Sequence, residues 1–149
     1  MSFETLDRIA DSYIPLLVVC CLISVVMPFQ RGVAAAGLVA ARFALLVALV
    51  AMVYIWMFAD AYWAIWPALG RLDYSTHTAL ALVLVMFLWV CVARLRWLWI
   101  GSFIAYLLLM RYQAYHTFLD MLTTALVLGM CAVGVLYVYR CLQGRVDHS

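Results

Sequence analysis

The chain contains no lysine, no pair of cysteines at C-x-x-C spacing and no run of like charges. Charged residues make up 11% of its 149 residues, against roughly 25% in soluble domains. Too little charge is present to solvate a separate water-exposed domain. Without a basic run there is nothing to grip nucleic acid, and the net charge of +2 selects no acidic protein partner. The five cysteines, Cys20, Cys21, Cys91, Cys131 and Cys141, fall within or at the ends of apolar stretches and lack metal-ligand spacing. They read as small buried hydrophobes rather than a disulfide framework. No internal repeat, low-complexity tract or linker interrupts the chain. The N-terminus, M-S-F-E-T-L-D-R-I-A-D-S, has neither the basic leader nor the small-residue cleavage site of a secretory signal, so the first apolar stretch is expected to be retained.

What is present is hydrophobic: 70% of the residues are apolar, and the mean hydropathy is +1.12. At about 20 apolar residues per crossing, the pattern predicts an all-α, polytopic transmembrane bundle filling residues 1–149 as one domain. Five spans are expected: Tyr13 to Phe29, Leu38 to Phe58, Thr78 to Ala93, Trp97 to Met110, and Phe118 to Tyr139. The fourth is expected to run on through Arg111 to Tyr115 into a tight hairpin with the fifth. Trp63, Trp66, Trp97 and Trp99 lie near span ends, as an interfacial aromatic belt would.

Five crossings put Arg8, Arg71 and Arg111 on one side and Arg31, Arg42, Arg94, Arg96, Arg140 and Arg145 on the other. The positive-inside rule then places the N-terminus outside and the C-terminus in the cytoplasm. Glu4, Asp7, Asp11, Asp60, Asp73 and Asp120 all fall on the outer side. The expected location is a multi-pass bacterial inner membrane.

Polar residues at a membrane boundary require a reason, and they gather in two stretches. In D-Y-S-T-H-T, Asp73 to Thr78, either Ser75 or Thr76 can cap the third span, leaving His77 in a first turn whose free N–H groups favour an anion. In H-T-F-L-D, His116 to Asp120, the spacing of four puts imidazole and carboxylate on one face of a helix, and Thr123 and Thr124 continue the polar stripe. Asp60 and Asp73 read as solvated loop carboxylates, and Ser102 and Tyr106 as packing residues. By position alone these groups are either interfacial anchors doing no chemistry or parts of a site. The same set is compatible with a bis-histidine haem protein using His77 and His116, or a zinc site of His77, His116 and Asp120.

The two stretches resemble the signature segments of the type 2 phosphatidic acid phosphatase superfamily, most closely its sphingomyelin synthase-like branch, whose members carry an aromatic residue before S-G-H-T and then H-Y-T-I-D. Tyr74, Ser75, His77, Thr78, His116 and Asp120 occupy the matching positions, within a family-like core of about 73–134. Thr76 replaces the family's glycine, and Arg111 stands five residues before His116 where the classical pattern has six. The upstream lysine and arginine motif of the classical phosphatases is absent, as it is in the sphingomyelin synthase-like members. The family usually has six spans, against the five expected here.

The resemblance implies a lipid phosphatase or headgroup phosphotransferase working without a cofactor or metal at the outer face. His116 would attack phosphorus, Asp120 would hold its imidazole, and His77 would protonate the leaving oxygen. Arg111, Arg71, Ser75 and Thr78 would bind the phosphoryl oxygens. The implied partner is a membrane lipid, with a homo-oligomer or larger membrane complex also compatible. A degenerate, non-catalytic accessory subunit would carry the same residues.

Overall fold

A computed structural model describes residues 3–28, 35–70 and 72–146. Among them there are only helices and their connections: α1 (Phe3–Val26), α2 (Ala35–Trp63), α3 (Ile65–Ala68), α4 (Thr76–Cys91), α5 (Arg96–Tyr112) and α6 (Phe118–Val146). Four segments are long and apolar enough to cross a membrane: Glu4–Val26, Ala36–Trp63, Ala93–Tyr112 and Phe118–Gly144. An integral membrane protein is the consequence, because in hydrocarbon a helix satisfies its own backbone hydrogen bonds.

The expected third span is the exception. Helix α4 has 16 residues, which at 1.5 Å each reach about 24 Å, short of the roughly 30 Å hydrocarbon core. It is also the helix around which the others assemble, packing against α1, α2, α5 and α6. Ala79, Ala81, Val83, Leu84, Val85, Phe87 and Leu88 are all buried, so its apolar surface is covered on nearly every side.

Chain direction follows from the contacts between helix ends. Asp7 of α1 meets Gln113 and Tyr115, just past the end of α5, and the residues before α4 meet the start of α6. At the opposite end, Arg42 near the start of α2 donates to the Ser24 carbonyl of α1 at 2.7 Å. Helices α1, α4 and α6 therefore begin at one end of the bundle, where α2 and α5 finish. That end collects Glu4, Asp7, Asp11, Asp60, Asp73 and Asp120, together with Arg8 and Arg111; the other carries Arg42, Arg94, Arg96 and Arg140.

The connection from α2 to α4 is drawn into the bundle rather than laid over it. Asp60 Oδ1 accepts from the Trp66 backbone N–H at 2.7 Å, capping α3, and Ala64 enters that turn with φ 51°. Trp66 is only 1% exposed, packs edge-on against Trp56 and Tyr74, and donates its indole N–H to Thr123 Oγ1 at 3.2 Å. Two expectations are corrected here: Trp66 is a core residue and not part of an interfacial belt, and Asp60 is a half-buried carboxylate on α2 that caps α3 and not a loop residue. Tyr62 and Trp63 do remain outside, 82% and 67% exposed.

Tyr74 reaches further down, donating its hydroxyl to the Val53 carbonyl at 3.0 Å, nearly three turns before the end of α2 by helix geometry. This depth explains the shortness of α4. The segment feeding it already lies inside the bundle, so fewer helical residues remain to reach the far end.

On the flank of α4, α5 is held to α1 by Tyr106, whose ring stacks on Tyr13 at 4.4 Å between centroids, and by the hydrogen bond between the Tyr13 and Ser102 hydroxyls at 3.0 Å. Helix α5 stops at Tyr112 instead of running to Tyr115. Ala114, with φ 58°, reverses the chain in the turn before α6.

Candidate functional site

The two polar stretches lie against each other at the end where α4 and α6 begin. Asp120 organises the junction. Its Oδ2 accepts from the Thr117 backbone N–H at 2.8 Å and from the Thr117 hydroxyl at 2.7 Å, while Thr117 Oγ1 stands 3.2 Å from the Asp120 N–H. This reciprocal pairing at positions three apart is a capping box with aspartate in place of glutamate. The second oxygen, Oδ1, accepts from the backbone N–H of Asp73 at 3.0 Å. One turn along α6, the hydroxyl of Thr124 accepts from the Ser75 N–H at 3.2 Å. Side chains of α6 thus take alternate N–H groups of the extended 73–75 segment, much as a neighbouring strand would. Asp120 and Thr124 are buried, at 5% and 0% exposed. The low dielectric around them makes an unpaired donor expensive and fixes the arrangement.

Ser75, one of the two candidate caps, caps α4. Its Oγ accepts from the Thr78 N–H at 3.4 Å and donates to Thr78 Oγ1 at 2.9 Å, with both side chains buried. Their hydroxyls are committed to each other and to the helix start. The N–H groups of Thr76 and His77 in the same first turn have no intrahelical acceptor.

His77 sits in the first turn of α4, as expected, but His116 is placed differently from the sequence expectation. His116 stands in the turn before α6, not on the helix, so no helical face is shared between it and Asp120. The Asp120 carboxylate is within electrostatic reach of the imidazole, but its hydrogen bonds go to Thr117 and Asp73. The physical reason is local competition. Four orphan N–H groups at a helix start lie closer to a third-position carboxylate than does a side chain in the preceding turn. Among the described residues no hydrogen bond engages either imidazole.

His77 is exposed and faces α1 across an open cleft of about 260 Å³ lined also by Ala10, Asp11, Ile14, Pro15, Thr76 and Leu80. Sequence reasoning passed over this α1 wall. Pro15 lies inside α1 and has no N–H to give the Asp11 carbonyl four residues earlier. The cleft thus sets the Asp11 side of α1 beside His77. A proline four residues after an aspartate inside an apolar run was the available signal.

His77, His116 and Asp120 do not form a metal centre: among the described residues no group of three or more histidine, cysteine, aspartate or glutamate side chains stands close enough to hold an ion. Arg111 is exposed in the last turn of α5. Arg71 and His148 lie outside the described residues. The turn carrying His116 is tied to α1 by Asp7, whose Oδ1 accepts from Gln113 Nε2 at 3.0 Å and from the Tyr115 hydroxyl at 2.7 Å. That bond to a carboxylate, and the negative charge beside it, raise the Tyr115 phenol pKa.

Comparison of the chain with family models, curated proteins and solved structures gives no match. What the site can do is therefore argued from its own groups: two imidazoles unengaged by hydrogen bonds, a paired set of helix starts, and an arginine.

Proposed function

We propose that the chain is a membrane-embedded lipid phosphatase or headgroup phosphotransferase whose site lies at the end of the bundle where α4 and α6 begin, on the outer face of a bacterial inner membrane. The observation carrying this reading is the direct pairing of the two polar stretches, Asp120 with the Asp73 N–H and Thr124 with the Ser75 N–H. Two helix N-termini are thereby held side by side, and their dipoles and free N–H groups favour a phosphate.

His116 attacks phosphorus through an imidazole nitrogen as the lipid oxygen departs with a proton from His77. Water, or the hydroxyl of a second lipid, then displaces the imidazole and returns its proton to His77. Arg111, together with Arg71 and the first-turn N–H groups of α4, neutralises phosphoryl oxygens. Asp120 acts by charge, stabilising the phosphohistidine cation, and by holding the His116-bearing turn in place. Ser75 and Thr78 act by forming the α4 start.

A second reading has an observation of its own. Ser75, Thr78, Thr117, Asp120 and Thr124 are hydrogen-bonded to one another and to backbone, which is what a non-catalytic accessory subunit would need of them. The deciding experiment follows phosphate release and headgroup transfer from labelled lipid phosphates and phospholipids in micelles. The enzyme reading expects His116→Ala to abolish turnover while the helical circular dichroism is unchanged. Absence of turnover on every lipid, or turnover indifferent to His116→Ala, supports the accessory reading instead.

A further inference from the structure

The opposite end of the molecule carries a feature that the proposed chemistry does not use. Helices α5 and α6 each pack on α4 far more than on one another, leaving a groove of about 430 Å³ that opens sideways between them. Val85 and Trp89 of α4 form its floor, Phe103 of α5 one wall, and Val133, Tyr137 and Arg140 of α6 the other. Positions 133, 137 and 140 follow one face of α6, so the apolar wall ends in a cation at the rim. Arg140 is, among the described residues, the only ionisable side chain lining the groove besides the phenol of Tyr137.

Nothing near that rim, among the described residues, neutralises it. Among the described residues the carboxylates Glu4, Asp7, Asp11, Asp60, Asp73 and Asp120 all belong to the other end of the bundle, while Arg94 and Arg96 lie in the α4–α5 connection at this one. Arg96 is turned toward Trp89, with its guanidinium 5.5 Å from the ring centroid and Nε 3.4 Å from the Trp89 carbonyl. Arg140 is left facing the mouth of the groove. A second copy of the chain docked here by two-fold symmetry would bring its own arginine-bearing end against this one. An occupant with an apolar chain and a negative head meets the groove's chemistry, and basic pockets between transmembrane helices bind anionic head groups.

We infer that the groove between α4, α5 and α6 binds one acyl chain of an anionic phospholipid, with the lipid phosphate held by Arg140. The site is separate from the histidine-bearing end and independent of the activity proposed for it. The chain lies along Val85, Phe103 and Val133, and the Tyr137 hydroxyl is positioned to donate to the glycerol or phosphate oxygens.

The test is native mass spectrometry of the full chain released from detergent micelles titrated with phosphatidylglycerol or with phosphatidylcholine of identical acyl chains. One phosphatidylglycerol is expected to remain bound, with an affinity about five- to tenfold above that for phosphatidylcholine, the scale of one arginine–headgroup contact. Arg140→Gln should reduce phosphatidylglycerol to the phosphatidylcholine level. Val133→Trp, at a site 59% exposed on the groove wall, should fill the channel and weaken both lipids, while Arg94→Gln should leave both within about twofold, the scatter of surface substitutions. Circular dichroism of each variant reports the fold. Equal binding of the two lipids, an unchanged Arg140→Gln, an unchanged Val133→Trp, or a groove closed by a dimer whose formation is indifferent to lipid would each overturn the inference.

Discussion

The two ends of this bundle solve opposite problems. Where α4 and α6 begin, the chain folds a polar connection down between the helices, and side chains meet its backbone at Trp66 (Asp60), Asp73 (Asp120) and Ser75 (Thr124), while Asp120 also holds Thr117 of the next turn. Where α4 ends, a short 3₁₀ turn, Ala93–Leu95, passes directly into α5, and the space beside it stays an apolar groove. Buried backbone donors must be answered inside a membrane. The first end therefore has a specified, interlocked structure, and the second can leave its surface for lipid to complete.

The comparison predicts where substitution is felt. The largest loss is expected for Trp66→Ala, about 3–5 kcal/mol for a buried large aromatic, and it would also remove the indole donor to the Thr123 hydroxyl. Thermal unfolding in micelles followed by helical circular dichroism measures it. A loss below about 1 kcal/mol, the median of ordinary substitutions, would mean that the 64–75 segment is not anchored by this residue. Asp120→Ala comes next, at about 2–3 kcal/mol, because it leaves donors of both Thr117 and Asp73 without an acceptor. Measured beside His116→Ala, which should leave stability unchanged, it separates the architectural role of the carboxylate from any chemistry.

Thr124→Val removes only the acceptor for the Ser75 N–H and should cost about 1–2 kcal/mol, the penalty of one buried unsatisfied group. At the other end, Arg94→Gln should change stability by no more than about 0.5 kcal/mol. Comparable losses from those two variants would erase the contrast between the ends.

The smallest effect is expected from Tyr115→Phe, which shows itself only in pH dependence. The phenol's pKa is raised in the folded chain by its bond to Asp7. The bond's contribution is thus complete below the unfolded value of about 10 and disappears as pH climbs through the raised folded value. The stability difference between wild type and Tyr115→Phe should be constant near neutrality and vanish in alkali. A difference that persists there would remove Asp7 as the partner that matters.

Several features were legible in the residues because they depend on local order along the chain. Apolar runs of sufficient length dictate membrane-spanning helices wherever they occur, since the unmet backbone of any alternative is too costly in hydrocarbon. Ser75 caps α4 because a serine oxygen reaches the third N–H ahead of it regardless of what surrounds the helix. The gathering of the described carboxylates at one end and of most described arginines at the other was also present in the sequence, through the alternation of spans and connections.

What the helices do with their polar residues was decided only by packing. A spacing of four between His116 and Asp120 describes a shared face if a helix covers both, but α6 begins between them, and the Asp120 carboxylate turns to the nearer N–H groups of Thr117 and Asp73. Trp66 looks like an interfacial anchor until Trp56, Tyr74 and Thr123, remote along the chain, close around it. The central place of α4 and the groove ending at Arg140 each require three or more segments to meet, and the cleft between His77 and α1 requires two that are remote along the chain. Sequence determined which segments enter the membrane, because hydrophobicity and capping act over a few residues. The tertiary structure decided which polar groups answer one another, because those pairings join groups as far apart as Asp73 and Asp120, and only the packed bundle brings such groups within hydrogen-bond distance.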